Sequence, residues 1–247
     1  MREESGEEVY GKFVEVFRQG TLSTDSQRLL ISLLGEITTY QAGETLMQVI
    51  EEHLIRSPDV KLTTLHTINK FVPELWSEHS NAELAPVFEA AWSKINDPTF
   101  LVAIAHVMAE ISTPQSLAIF TQTLTDNNNN ERIKIVIGSM TEFQNPELIT
   151  TFAENLQSSP SKNVQYASGL ALSNIGRDEA TSELFIWATR ANSNQIDWIN
   201  EWFGIAMSTT PDFVQWLDSN LSTQQFQSPE VKHAIENVLV NIKGGVE

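Results

Sequence analysis

A repeat of about 32 residues runs along most of this chain and constrains its fold more than any other feature. A short segment that ends in a large apolar residue recurs at this spacing, and the five end residues are Phe88, Phe120, Phe152, Phe185 and Leu217. An apolar pattern with i, i+4, i+7 spacing precedes most of these segments, as Ile104, Met108 and Ile111 illustrate. The two patterns together predict two helices in each repeat.

Short polar segments separate the predicted helices. Within a repeat, Pro114, Pro146 and Pro211 open the second helix at its first turn, where a missing N–H group costs no hydrogen bond. Between repeats, Asp, Ser and Asn residues stand where helices need N-caps, as at 96–98 and 158–161. No Asn-Gly or Asp-Gly hairpin signal lies between alternating apolar runs. The sequence therefore predicts an all-α fold of about seven antiparallel helix pairs.

Each predicted pair carries two apolar stripes that it cannot bury alone, so neighbouring pairs must cover one another. Three segments share one register: Val102–Phe120, Lys134–Phe152 and Ala167–Phe185. In these segments the chain resembles the HEAT and armadillo-like helical repeat proteins, in their short bacterial-style form. The resemblance implies a right-handed α-solenoid, here residues 25–247, and a scaffolding function in which a curved surface holds a protein partner.

Residues 1–24 do not follow the repeat. Their apolar side chains form a single helical stripe, which consists of Tyr10, Phe13, Val14 and Phe17. We interpret this segment as an N-terminal capping helix that covers the first pair; the alternative is an amphipathic arm that binds a partner. A second irregularity is an inserted loop at residues 76–81, which lengthens one repeat.

Composition excludes several classes of function. The chain has 32 acidic and 15 basic residues, a net charge of -17, and its cations are not clustered, so a nucleic-acid partner is not expected. It has no cysteine, which excludes disulfides, thiolate metal sites and cysteine nucleophiles. The five histidines lack metal-ligand spacing, and neither a phosphate-binding glycine loop nor a nucleophile elbow occurs. We therefore predict no metal, no cofactor and no catalytic residue.

The sequence leaves two hypotheses about the cellular compartment of the protein. No run of about 18 apolar residues occurs, so no transmembrane segment is predicted. The acidic start does not resemble a signal peptide, so the protein is expected to be cytoplasmic if Met1 is its natural start. The alternative is the bacterial periplasm after loss of a signal or anchor, because the absence of cysteine and the many Ser, Thr, Asn and Gln residues suit an exported protein.

The candidate binding surface lies on the second helix of each repeat, which normally lines the concave side in this architecture. The position two residues after each recurring Phe or Leu should face away from the core, and it holds Ala90, Gln122, Glu154, Trp187 and Ser219. An exposed ring on a groove is costly unless a partner covers it, so Trp187 is the predicted centre of the site. Arg190 follows Trp187 by one turn.

Two further tryptophans, Trp198 and Trp202, form a second apolar stripe on the preceding first helix. Such a helix is either buried between its neighbours or, with Trp187, contributes to an aromatic patch that fits a hydrophobic helix or peptide. Nearby carboxylates favour a basic partner.

We predict a non-enzymatic scaffold or adaptor with a protein or peptide partner on its acidic and aromatic concave surface. The predicted partner-binding residues are Trp187, Arg190, Glu154, Gln122, Trp202 and Trp198. One alternative is a lyase-like or other enzyme-associated subunit that acts on a small ligand. Another is an exported bacterial protein that binds envelope or secretion components.

Overall fold

The computed structural model describes residues 2–72, 82–126 and 128–244, and all the regular secondary structure in these ranges is helical. The predicted all-α class is confirmed. Residues 76–81, where the sequence predicts an inserted loop, lie outside the described residues. The α-helices are α1 (Arg2–Gln19), α2 (Thr24–Ile37), α3 (Tyr40–Glu51), α4 (Pro58–Asn69), α5 (Ala85–Lys94), α6 (Pro98–Ile111), α7 (Pro114–Thr125), α8 (Asn130–Ser139), α9 (Ile149–Ser158), α10 (Lys162–Asn174), α11 (Asp178–Arg190), α12 (Ile196–Thr209), α13 (Pro211–Asn220) and α14 (Pro229–Gly244).

The helix ends are set by local side-chain chemistry. At the start of α6, the Asp97 carboxylate accepts a hydrogen bond from the backbone N–H of Thr99, and Pro98 occupies the first turn. The same helix ends at Ser112, whose N–H makes the last helical bond, to the Met108 carbonyl, and whose left-handed backbone (φ 57°) turns the following chain away from the helix axis. None of the described helices is both long enough and apolar enough to cross a membrane.

The chain divides into two compact units. The first consists of Met1–Phe120 and Asn130–Ile135, and the second of Thr121–Asn129 and Val136–Glu247. Within the first unit the helices pack in two rows: α2 contacts α4 and α4 contacts α6, while α1 contacts α3 and α3 contacts α5. The rows are joined where α2 meets α3 and α5 meets α6.

The second unit has the same kind of packing. Helix α10 contacts α12 and α12 contacts α14, while α9 contacts α11, and α10 joins the two rows through its contacts with α9 and α11. Large rings fill the interior of this unit. Phe143 and Phe152, for example, meet edge to face with their centroids 5.5 Å apart, and both are fully buried.

Helix α1 is held against α3 by apolar and charged contacts. Val14 and Phe17, two members of the predicted stripe, are buried. The Arg18 guanidinium donates two hydrogen bonds, of 2.5 and 2.7 Å, to the two carboxylate oxygens of Glu52. These bonds lower the pKa of Glu52 to about 2. The helix expected in residues 1–24 is therefore present, whereas its separation as a cap from a repeat domain at 25–247 stays a prediction.

Glycine permits one unusually close helix contact in the second unit. A β-carbon placed on Gly169 of α10 would lie 2.4 Å from three ring atoms of Trp202 in α12. The ring of Trp202 is fully buried at this point. Gly138 of α8, in contrast, has no neighbouring group within 4 Å of such a β-carbon.

We expect Gly169→Ala to destabilise the fold by about 1–3 kcal/mol, because the added methyl group overpacks a rigid ring. Gly204→Ala is the matched control: Gly204 lies in α12, has nothing within 4 Å of the place that an added methyl group would take, and should gain about 0.5–1 kcal/mol from helix propensity. Urea denaturation of both variants measures the difference. Equal stability of Gly169→Ala and the natural chain would contradict the close approach.

Candidate functional site

The structure buries the tryptophan that the sequence places at the centre of the binding surface. Trp187 is only 8% exposed, and its ring centroid lies 5.1 Å from that of Trp202. The prediction that Trp187 is exposed is therefore wrong. The physical reason is the contact at Gly169, because it seats the Trp202 ring deep in the unit, where the ring also packs against Trp187.

The other positions of the same register are exposed as predicted. Ala90, Gln122, Glu154 and Ser219 all have exposed side chains, and Arg190 is exposed in the last turn of α11. The register therefore identifies solvent-facing side chains at four of its five positions. Whether Gln122, Glu154 and Arg190 bind a partner stays a prediction.

Trp198 and Trp202 belong to a packed aromatic cluster with Tyr166 and Trp187. The ring centroids of Tyr166, Trp198 and Trp202 lie 5.5 to 5.9 Å from one another. Trp202 is fully buried, which confirms the buried alternative for this residue, and Trp198 is partly buried. The prediction of an exposed aromatic patch formed by Trp187 and Trp202 is therefore wrong. The cluster instead joins α10, α11 and α12 as part of the core.

The edge of this cluster carries one strong polar contact. The Tyr166 hydroxyl donates a 2.6 Å hydrogen bond to a carboxylate oxygen of Glu201. Burial, together with this bond and the negative charge of Glu201, raises the pKa of Tyr166 to about 12. Trp202 Nε1, in contrast, is buried with no hydrogen-bond partner among the described residues.

A different tryptophan is exposed, in a groove between α11 and α13. Trp216 is 40% exposed, although its ring stacks on Phe213 at 5.8 Å and meets Phe185 edge to face at 5.0 Å. The groove has a volume of about 440 Å³, and we call it the Trp216 groove; its lining residues are Asp178, Glu179, Thr181, Ser182, Asp212, Phe213 and Trp216. This volume falls within the range of ligand-binding clefts, roughly 300–1,000 Å³.

Trp216 lies outside the register from which the sequence predicts the binding surface. It stands one residue before Leu217, and the corresponding positions of the other repeats hold Val87, Ile119, Thr151 and Leu184. A tryptophan is larger than any of these side chains. A tryptophan at a position that holds smaller side chains in the other repeats is the signal that could have identified this ring.

The acidic rim of the groove follows from where its helices begin. Asp178 and Glu179 lie in the first turn of α11, and Asp212 lies in the first turn of α13. Carboxylates at these positions stabilise the positive ends of the helix dipoles. All three residues are exposed. No Lys or Arg in the described ranges forms an ion pair with any of them.

Two other cavities have different chemistry. In the first unit, a cavity of about 420 Å³ between α3 and α5 is also acidic, but Glu51 pairs with Lys94 and Glu52 pairs with Arg18. In the second unit, a cavity of about 870 Å³ between α12 and α14 is lined mainly by amide, hydroxyl and aliphatic side chains. The Trp216 groove alone among these three combines an exposed tryptophan with three carboxylates that lack a described cation.

The lining of the Trp216 groove consists of carboxylates, hydroxyl groups and aromatic rings, with neither histidine nor lysine among its residues. Such a set suits the binding of a positively charged group better than nucleophilic chemistry. No protein-family model and no curated protein matches this sequence. The functional assignment therefore rests on the geometry of the described residues.

We expect the phenol of Tyr166 to titrate near pH 12. Glu201→Gln should lower the pKa of Tyr166 but leave it above 10.0, because burial is the largest cause of the shift. The raised pKa contributes stability that is complete below pH 10 and is lost as the pH rises towards 12. Phenolate absorbance during a pH titration measures both chains, with Tyr166→Phe to identify the transition. A titration unchanged by Glu201→Gln would contradict the role of the carboxylate.

Proposed function

We propose that this protein is a non-enzymatic interaction scaffold that binds a partner protein or peptide at the Trp216 groove. The observation that carries the proposal is the 40% exposure of Trp216 beside three carboxylates. Tryptophan is the side chain most often found at the energetic centre of protein interfaces. An exposed ring of this size, fixed by neighbouring rings, is suited to that role.

The proposal includes a right-handed α-solenoid of HEAT-like helix pairs as the architecture. Its support is the serial packing inside each unit, where α2, α4 and α6 follow one another in one row and α10, α12 and α14 do so in the other unit. Repeat proteins of this class bury their apolar stripes through contacts between successive repeats. In such an array the second helices, including α11 and α13, form a surface open to a partner.

The charge of the chain favours a basic partner. A net charge of -17 attracts cationic proteins over long distances and accelerates their encounter. The three groove carboxylates then provide a local site for positive charge. The same charge repels the phosphates of nucleic acids, which argues against such a partner.

The alternative of a lyase-like or enzyme-associated subunit with a small ligand has less support. That function calls for an enclosed pocket in which proton-transferring side chains converge on one reacting group. The Trp216 groove has carboxylates on exposed helix ends and no histidine in its lining. The interaction scaffold is therefore the function that the described geometry supports best.

We expect the immobilised protein to recover one stoichiometric partner from its native source, and we expect the Trp216→Ala variant not to recover it. Truncation of a central tryptophan weakens binding by about 2 kcal/mol or more, roughly 30-fold. Ile186→Ala is the matched control, because Ile186 is 38% exposed on α11 but does not line the groove. Mass spectrometry of the captured proteins gives the readout.

Trp216 also packs on Phe185 and Phe213, so its loss could disturb the fold. Asp212→Asn provides a second test, because it removes charge from the groove while leaving both ring contacts in place. Equal recovery of the partner by the natural chain, Trp216→Ala and Asp212→Asn would contradict the proposed site.

A further inference from the structure

The Trp216 ring is held in place before any ligand arrives. It stacks on Phe213 with an angle of 18° between the ring planes, and it meets Phe185 at 89°. Contacts from two directions restrict the side-chain rotamer of Trp216, yet 40% of the residue is exposed. A ring fixed in this way can bind a flat or cationic group without first losing its own conformational freedom.

The charge balance of the groove favours a cation. Asp178, Glu179 and Asp212 together contribute three negative charges at neutral pH. The N-termini of α11 and α13 oppose them with about half a positive charge each. The remaining charge is about two negative units, so the carboxylates outweigh the helix dipoles and the groove disfavours anionic ligands.

The positions of the carboxylates favour a guanidinium over an ammonium group. Asp178 and Glu179 come from α11, while Asp212 comes from α13, so acceptors stand on both helices that form the groove. A guanidinium has five N–H donors in one plane and can reach acceptors on both sides while it stacks on an indole. It is also more weakly hydrated than an ammonium group, so it loses less solvation in an aromatic groove.

A guanidinium stacked on an indole ring also occurs within this chain. In the first unit, the Arg132 guanidinium lies over the Trp92 ring, 4.9 Å from its centroid. Arg132 also donates hydrogen bonds to the carbonyl oxygens of Trp92 and Ile95, the second at 2.6 Å. A stacked guanidinium whose N–H groups reach surrounding oxygens is therefore compatible with the helical packing of this protein.

We infer that the Trp216 groove recognises an arginine side chain of the partner, with the guanidinium stacked on the Trp216 indole and hydrogen-bonded by carboxylates of α11 and α13. This inference rests on the proposed function and specifies the chemistry of the residue that the groove receives. It assigns the aromatic ring to stacking and the three carboxylates to hydrogen bonding and charge.

The test is a titration of the ¹⁵N-labelled full chain with short capped peptides, followed through the indole N–H signals of the six tryptophans. Trp216→Phe identifies the Trp216 signal. Three peptides, Gly-Arg-Gly, Gly-Lys-Gly and Gly-citrulline-Gly, differ only at the central residue, and citrulline is the neutral analogue of arginine. We expect the arginine peptide to shift the Trp216 signal saturably, with millimolar affinity, while the buried Trp202 signal stays in place.

The lysine peptide should bind at least about threefold more weakly, and the citrulline peptide should cause no saturable shift, since it keeps the shape but lacks the charge. An unmoved Trp216 signal with the arginine peptide, or equal binding of the lysine peptide, would overturn the inference. So would a citrulline peptide that binds as well as arginine.

A matched pair of charge variants separates the groove from the general acidity of the chain. Asp212 and Glu147 each follow the proline that opens the second-helix segment of a repeat, but only Asp212 lines the groove. We expect Asp212→Asn to weaken arginine-peptide binding about tenfold, a loss typical of a charge-assisted hydrogen bond, and Glu147→Gln to leave it unchanged. Equal weakening of arginine-peptide binding by both variants would overturn the assignment of the site. Unchanged signals from the other tryptophans show that each variant is folded.

Failure of this inference and failure of the proposed function give different results. If Trp216→Ala abolishes capture of the native partner but the arginine peptide leaves the Trp216 signal unmoved, the arginine assignment is wrong and the interaction site stands. If the arginine peptide binds but capture of the partner is indifferent to Trp216→Ala, the proposed function is wrong at this site.

Discussion

The fold depends on the mutual burial of side chains between neighbouring helices of a row. The recurring large residues show this dependence directly, since Phe88, Phe120, Phe152 and Leu217 have no exposed surface and Phe185 has 4%. Two helices alone would leave part of each of these side chains in water, at a cost of about 25 cal/mol for each Å² of apolar surface. The spacing of about 32 residues in the sequence is thus the distance along the chain between large side chains that are all buried in this way.

The features that could be predicted from sequence are those that arise from local interactions. Helix ends follow from capping side chains such as Asp97 and from prolines, which act within one turn of the backbone. The burial of Trp187 could not be predicted in this way, because it depends on Trp202 and, through Gly169, on a third helix. The exposure of Trp216 likewise could not be read from the repeat, because the corresponding positions range from buried Val87 and Leu184 to exposed Thr151.

Charge, more than volume, distinguishes the candidate site from the other cavities. The cavity between α12 and α14 is about twice as large as the Trp216 groove, but its lining contains one carboxylate, Glu230, and no aromatic side chain apart from His233. The cavity between α3 and α5 has carboxylates, but Lys94 and Arg18 already satisfy two of them. In the Trp216 groove the negative charge of the carboxylates exceeds the positive charge of the two helix N-termini. The remaining negative charge lies beside an aromatic ring. Such a surplus favours cationic ligands over neutral or anionic ones.

The contact between Gly169 and Trp202 has a consequence for how this chain could change during evolution. Repeat proteins commonly gain, lose or exchange whole modules, because one module resembles the next in backbone and length. Here α10 leaves space beside Gly169 for an indole, and Trp202 of α12 supplies that indole. A change that altered one of these helices without the other would produce either a steric collision or an empty space in the interior, so Gly169 and Trp202 constrain each other.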